Sequence, residues 1–83
     1  MNKYRKKPVV IEAVQWDGSI DVARRIESWS GDKVHLAYTE MRIKTLEGEM
    51  EVKPTDWVIR GIKGEFYPCK PDIFEATYDK VAL

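Results

Sequence analysis

A lone cysteine, Cys69, sets the first limit on this chain of 83 residues, because without a second one no intramolecular disulfide can staple the fold. A chain of this length buries only about 60–65% of the surface that its unfolded state exposes, so its stability must come from one well-used apolar core. A single domain over residues 1–83 is therefore expected. The composition supplies that core: 43% of the residues are apolar and nine are aromatic, types in which a disordered segment is poor. A solitary thiol fits a reducing cytoplasm. No apolar run approaches the ~20 residues of a membrane span. Val9, Val10 and Ile11, behind a basic stretch, are too few for the apolar part of a signal peptide, so a cytoplasmic protein, neither secreted nor membrane-spanning, is expected.

The 14 basic and 14 acidic residues cancel, but unevenly. Lys3, Arg5, Lys6 and Lys7 all precede the first carboxylate, Glu12, and the remainder, with 10 basic and 14 acidic residues, is net −4. Proteins that bind duplex DNA present a basic domain face, so a mildly acidic body argues against duplex DNA as a partner.

Periodicity orders the elements. Residues 9–16 are rich in β-branched side chains and lie between Pro8 and Asp17-Gly18, which reads as a first strand. From Ser19 the period becomes helical, with Val22, Ala23, Ile26 and Trp29 on one face, Ser19 able to cap the start and Gly31 able to end the helix. Val34, Leu36 and Tyr38 alternate with His35 and Ala37 as a second strand over residues 33–38. Glu47-Gly48 reads as a hairpin turn that pairs Thr45 with Met50, Lys44 with Glu51 and Ile43 with Val52. A second hairpin sets residues 57–62 against residues 65–69 across a primed Lys63-Gly64 turn, with Pro68 at a sheet edge. Pro71 suits the first position of a short turn or helix that packs Ile73, Phe74 and Tyr78 inward, and residues 78–81 can add a last strand. The class is α+β: a small twisted antiparallel sheet or partly open barrel of five to six strands with one helix packed on it.

Catalytic chemistry finds little to work with. One His, His35, and one Cys, Cys69, in separate segments cannot make a structural zinc site, and no cofactor is expected. Cys69 lies between Pro68 and Lys70 with no helix start to activate it, which reads as a packed, inert thiol. Glu47, Glu49 and Glu51 alternate along a hairpin as a solvated face, not an acid/base pair, and no catalytic residues are assigned. The stretch Gly61-Ile62-Lys63-Gly64-Glu65 lacks the spacer and the Ser or Thr of a phosphate loop, but Lys63 at a glycine turn, with Arg60 and Tyr67 across the ladder, can hold an anion. Tyr4-Arg5-Lys6-Lys7 joins an aromatic ring to cations that can grip phosphate or stack on a base, as well as serve as a solvated arm.

Two blocks carry a resemblance. One is Tyr4-Arg5-Lys6-Lys7-Pro8-Val9-Val10-Ile11-Glu12-Ala13-Val14-Gln15-Trp16; the other runs over residues 57–78, through Lys63-Gly64-Glu65-Phe66-Tyr67-Pro68-Cys69-Lys70-Pro71-Asp72 to Thr77-Tyr78. They resemble a family of small bacteriophage and prophage proteins named for a Pro-Gly-Asp-Tyr-Gly motif, whose middle part varies. Here the motif reads Pro54-Thr55-Asp56-Trp57, and Thr55 in place of the family glycine argues against a backbone role at positive φ. The resemblance implies a phage origin, action in the cytoplasm of an infected bacterium, and company among accessory proteins that inhibit host machinery or sequester signalling nucleotides.

The leading functional expectation is a non-enzymatic protein that sequesters a small anionic, nucleotide-type ligand to counter host defence, through Tyr4, Arg5, Lys7, Arg60, Lys63, Tyr67 and Lys70. The alternative is an interaction module that docks on a host protein through an edge strand or hairpin. A third is single-stranded nucleic-acid binding through the basic arm. Self-association is expected as well, by pairing strand edges or burying Trp57 and Phe66 across a two-fold axis.

Overall fold

The computed structural model describes residues 1–5 and 7–81, so Lys6, counted above in the basic arm, lies outside the described residues. The chain runs β1 (Glu12–Gln15), α1 (Ile20–Ser30), β2 (Val34–Ala37), β3 (Glu40–Thr45), β4 (Gly48–Val52), β5 (Trp57–Arg60), β6 (Phe66–Cys69) and α2 (Pro71–Thr77). The α+β class holds, but the six strands do not share one sheet or close into a barrel. They form two three-stranded antiparallel sheets, ordered β1-β5-β6 and β2-β3-β4.

The helix read from the sequence is α1. The Ser19 hydroxyl accepts the Val22 N–H at 3.2 Å, Gly31 turns the chain at φ 63°, and the Asp32 N–H returns to the Glu27 carbonyl at 2.9 Å. Ala23 and Ile26 are buried, with Val22 and Trp29 packed against them. The helix meets Trp16, Val34, Met41, Ile43, Val52, Val58 and Phe66 from both sheets in a single core. A Glu27 carboxylate oxygen accepts the Leu36 N–H at 2.9 Å and ties α1 to β2. Arg24, donating to the same carboxylate, and that backbone N–H together hold the Glu27 carboxyl below its ordinary range.

Both hairpins differ from expectation in register. Thr45 pairs with Gly48, Lys44 with Glu49, Ile43 with Met50, Arg42 with Glu51 and Met41 with Val52, so the loop is Leu46-Glu47 and the ladder is shifted by two residues. The Thr45 hydroxyl decides this by accepting the Glu47 N–H at 3.2 Å, and a two-residue shift keeps every side chain on the expected face. In the other hairpin the loop is Ile62-Lys63-Gly64: the Gly64 N–H donates to the Gly61 carbonyl at 3.0 Å and the Gly61 N–H to the Glu65 carbonyl at 2.7 Å. Only Gly64 takes positive φ there, +82°, the pattern of a three-residue loop with a terminal glycine in place of the two-residue primed turn.

A second helix replaces the expected single one. Pro71 starts α2 and Phe74 packs inward, but Ile73 is 53% exposed and residues 78–81 form no strand. Thr55 takes φ +79°, so the position that the motif gives to glycine does need the left-handed backbone, here with a β-branched residue in it. Phe66 is 7% exposed, set edge-on to Trp29 at 5.1 Å, and Trp57 stacks on Phe74 at 4.0 Å, so neither ring is free to form the two-fold contact expected of them.

Candidate functional site

Strand alternation sorts the β1-β5-β6 sheet into two faces. Val14, Val58 and Phe66 look into the core, while Ala13, Trp57, Ile59 and Tyr67 look the other way, where Ile59 is nevertheless 1% exposed. The cover on that side is α2, with Phe74 stacked on Trp57 and tilted against Tyr78 at 5.1 Å, and Tyr78 hydrogen-bonded to Tyr67. These contacts set α2 and its exit over Trp57 of β5 and Tyr67 of β6, while on β1 Ala13 is only half-buried.

β1 is also the outer strand of its sheet, and its last partner is Arg60, opposite Glu12. Beyond that pair the β5 chain turns away at Gly61, so residues 9–11 overhang the ladder, with Val9 44% and Val10 75% exposed. This is why the eight-residue β-branched run forms a strand only over Glu12–Gln15. Between the overhang, Trp57, Phe74 and Tyr78 lies a groove of about 690 Å³. Glu12, Asp79 and Lys80 supply its charged lining, and the remainder is aliphatic and aromatic. The indole N–H of Trp57 is buried with no acceptor, a condition that costs about 1–3 kcal/mol. A smaller cleft of about 360 Å³ shares Val10, Ile11 and Glu12 with the groove and is lined also by Arg60, Gly61 and Gly64.

The seven residues expected to bind an anion are not gathered in one place. Tyr4, Arg5 and Lys7 lie on the exposed arm, Lys63 is exposed in its loop, and Lys70 is exposed immediately before α2. Arg60 lines the smaller cleft, but its guanidinium is 3.5 Å from the Glu12 carboxylate, which offsets the charge an anion would seek. Tyr67 pairs with Ile59 and Arg60 with Phe66, so Arg60 and Tyr67 point to opposite faces of the sheet, contrary to the expected cluster. Burial first, then the hydrogen bond with Tyr78, pushes the Tyr67 phenol up to about 12. None of the seven lines the groove.

The remaining reactive groups sit in quiet surroundings. Burial, with the carboxylates of Asp56 and Asp72 nearby, raises the Cys69 thiol, which makes it a poor nucleophile at neutral pH. Among the described residues no cluster of His, Cys, Asp and Glu could hold a metal ion, and no helix is long and apolar enough to cross a membrane. His35 is half-buried, and its Nδ1 is buried without a partner.

Sequence reasoning overlooked the groove, although two signals for it were present. The apolar run of residues 9–16 is twice as long as the strand it forms, and Phe74 and Tyr78 stand four apart on one side of the short helix and its exit. Comparison of the chain with protein-family models, with curated proteins and with solved structures gives no match.

Proposed function

We propose that the chain is a non-enzymatic interaction module that takes an extended segment of a partner protein as an added strand on the open edge of β1. One observation carries this reading: the edge strand overhangs its own partner and borders an apolar groove walled by Trp57, Phe74 and Tyr78. An added strand gains main-chain hydrogen bonds from the edge, and alternate side chains drop into the adjoining groove. Of the two routes foreseen, edge strand or hairpin, the edge strand has the groove beside it. The resemblance at both ends of the chain supports a host protein as the partner, met in the cytoplasm of an infected bacterium.

Short peptides of alternating Val and Thr are the first probe. Amide exchange should slow at residues 9–15 when such a peptide binds, and Val10→Asp, at an exposed lining position, should remove the effect without changing the melting temperature. A thermal shift with cyclic or linear nucleotides, together with no protection by any strand-forming peptide, would replace this reading with the anionic-ligand one.

A further inference from the structure

We infer that the segment the groove accepts runs antiparallel to β1 and is acidic at the end that follows its apolar part, an inference that rests on the edge-strand reading above. Val9, a lining residue of the groove, stands two residues from Lys7, so the basic arm adjoins that end of the groove. Lys3, Arg5 and Lys7 are exposed, and none of them takes part in any ion pair of the described residues. Of the other charges at the groove, Glu12 already faces Arg60 at 3.5 Å, and Asp79 and Lys80 are of opposite sign.

Val9, Val10, Ile11, Glu12 and Ala13 all line the groove, and the cations at positions 3, 5 and 7 precede them in the chain. A strand added along residues 9–15 and prolonged past Val9 would meet the uncompensated cations of the arm. Antiparallel pairing is the more stable ladder, and it places the C-terminal end of the incoming strand at the low-numbered end of β1. Acidic residues there would meet Lys7, Arg5 and Lys3 in turn, and would fix both the direction and the register of a segment whose apolar part alone leaves them open.

The test uses fluorescein-labelled peptides of four kinds: alternating Val-Thr followed by Asp and Glu, the same blocks with the acidic block first, the Val-Thr block alone, and the acidic block alone. Anisotropy should give the acid-last peptide an affinity about 10-fold higher than the acid-first one at low salt, an advantage that shrinks when salt is raised to about 0.3 M. The triple variant Lys3→Glu, Arg5→Glu, Lys7→Glu, on the exposed arm, should melt like the parent and bind acid-last no better than Val-Thr alone. Equal affinities for acid-last and acid-first, with Val-Thr still bound, would overturn the polarity and leave the edge-strand reading standing. A tighter acid-first peptide would overturn the antiparallel direction. Acid-alone binding as tight as acid-last would make the arm a polyanion site independent of the groove, which also overturns the inference. No binding by Val-Thr alone or by acid-last would remove the edge-strand reading itself.

Discussion

In the β2-β3-β4 sheet, Met41, Ile43 and Val52 face the core, while Arg42, Lys44, Glu49 and Glu51 make an outer face for water. Arg42 alone pairs with Glu40 and lies 4.0 Å from Glu49 on that face. The β1-β5-β6 sheet has no such surface: Val58 and Ile59 are adjacent in sequence and both buried, because one looks at the core and the other lies on the face that α2 covers. A one-sided sheet completes itself with solvated charges and asks for no partner. A two-sided sheet whose cover is seven residues long leaves its outermost strand half covered, and the groove is what remains.

The largest expected effect tests whether the second cover is real. Ile59→Ala should cost about 2–4 kcal/mol in urea unfolding, the range for a buried Ile with partial relaxation around the cavity. Arg42→Ala, on the solvated face of the other sheet, should stay within about 0.5 kcal/mol, as exposed ion pairs do. Equal small effects at both positions would mean that both sheets are one-sided and that the groove has no wall.

Next in size is the loop that closes the β5-β6 hairpin. Gly64→Val should destabilise by about 1–3 kcal/mol, because a β-branched residue at φ +82° is strained even though an added Cβ finds open space. Lys63→Ala beside it should change stability by less than about 0.5 kcal/mol. A parent-like melting temperature for Gly64→Val would place the hairpin wrongly.

The legible parts of this fold are those with strong local chemistry: the cap and glycine stop of α1, the positive φ of Gly64, and the apolar side of β3. Register was less legible, because pairing Ile43 with Met50 or with Val52 leaves the same faces buried, and the Thr45 hydroxyl that settles the matter has no pattern in the sequence. The division into two sheets was hidden for a different reason. It depends on the turn at Lys53–Asp56, where the Lys53 N–H donates to the Asp56 carboxylate at 3.0 Å and the Thr55 N–H to the Trp16 carbonyl at 2.8 Å, a long-range contact that no local pattern reveals. The candidate site was the least legible part, since cations were read as a cluster and the structure spreads them over several surfaces. Only the excess length of the run at residues 9–16 pointed to an unpaired edge.

The passage between the two sheets can be improved, which sharpens the comparison from the other direction. Thr55 holds φ +79° with a branched side chain, a strain typically worth 1–3 kcal/mol, and glycine removes it at an entropic cost of about 0.5–1 kcal/mol. Thr55→Gly should therefore stabilise the protein by about 1 kcal/mol, read as a higher urea midpoint with unchanged slope. A loss of stability would show that the Thr55 side chain contributes more than its backbone costs.

The smallest effect at neutral pH belongs to Tyr67, and it reports on the cover most directly. Its phenol is pushed up to about 12 by burial under α2 and by the hydrogen bond with Tyr78, whereas in the unfolded chain it titrates near 10. A group whose folded pKa is raised stabilises the fold fully below the unfolded value, and that contribution is lost as pH climbs through the folded one. Stability should accordingly fall between pH 10 and 12, with the folded state holding the proton that the unfolded state releases. In Tyr67→Phe that descent should be shallower, and the phenolate absorbance titration should lose its latest component. If every tyrosine of the folded parent titrated near 10, α2 would not be closing the outer face of β5 and β6, and the contrast between a one-sided and a two-sided sheet would fall with it.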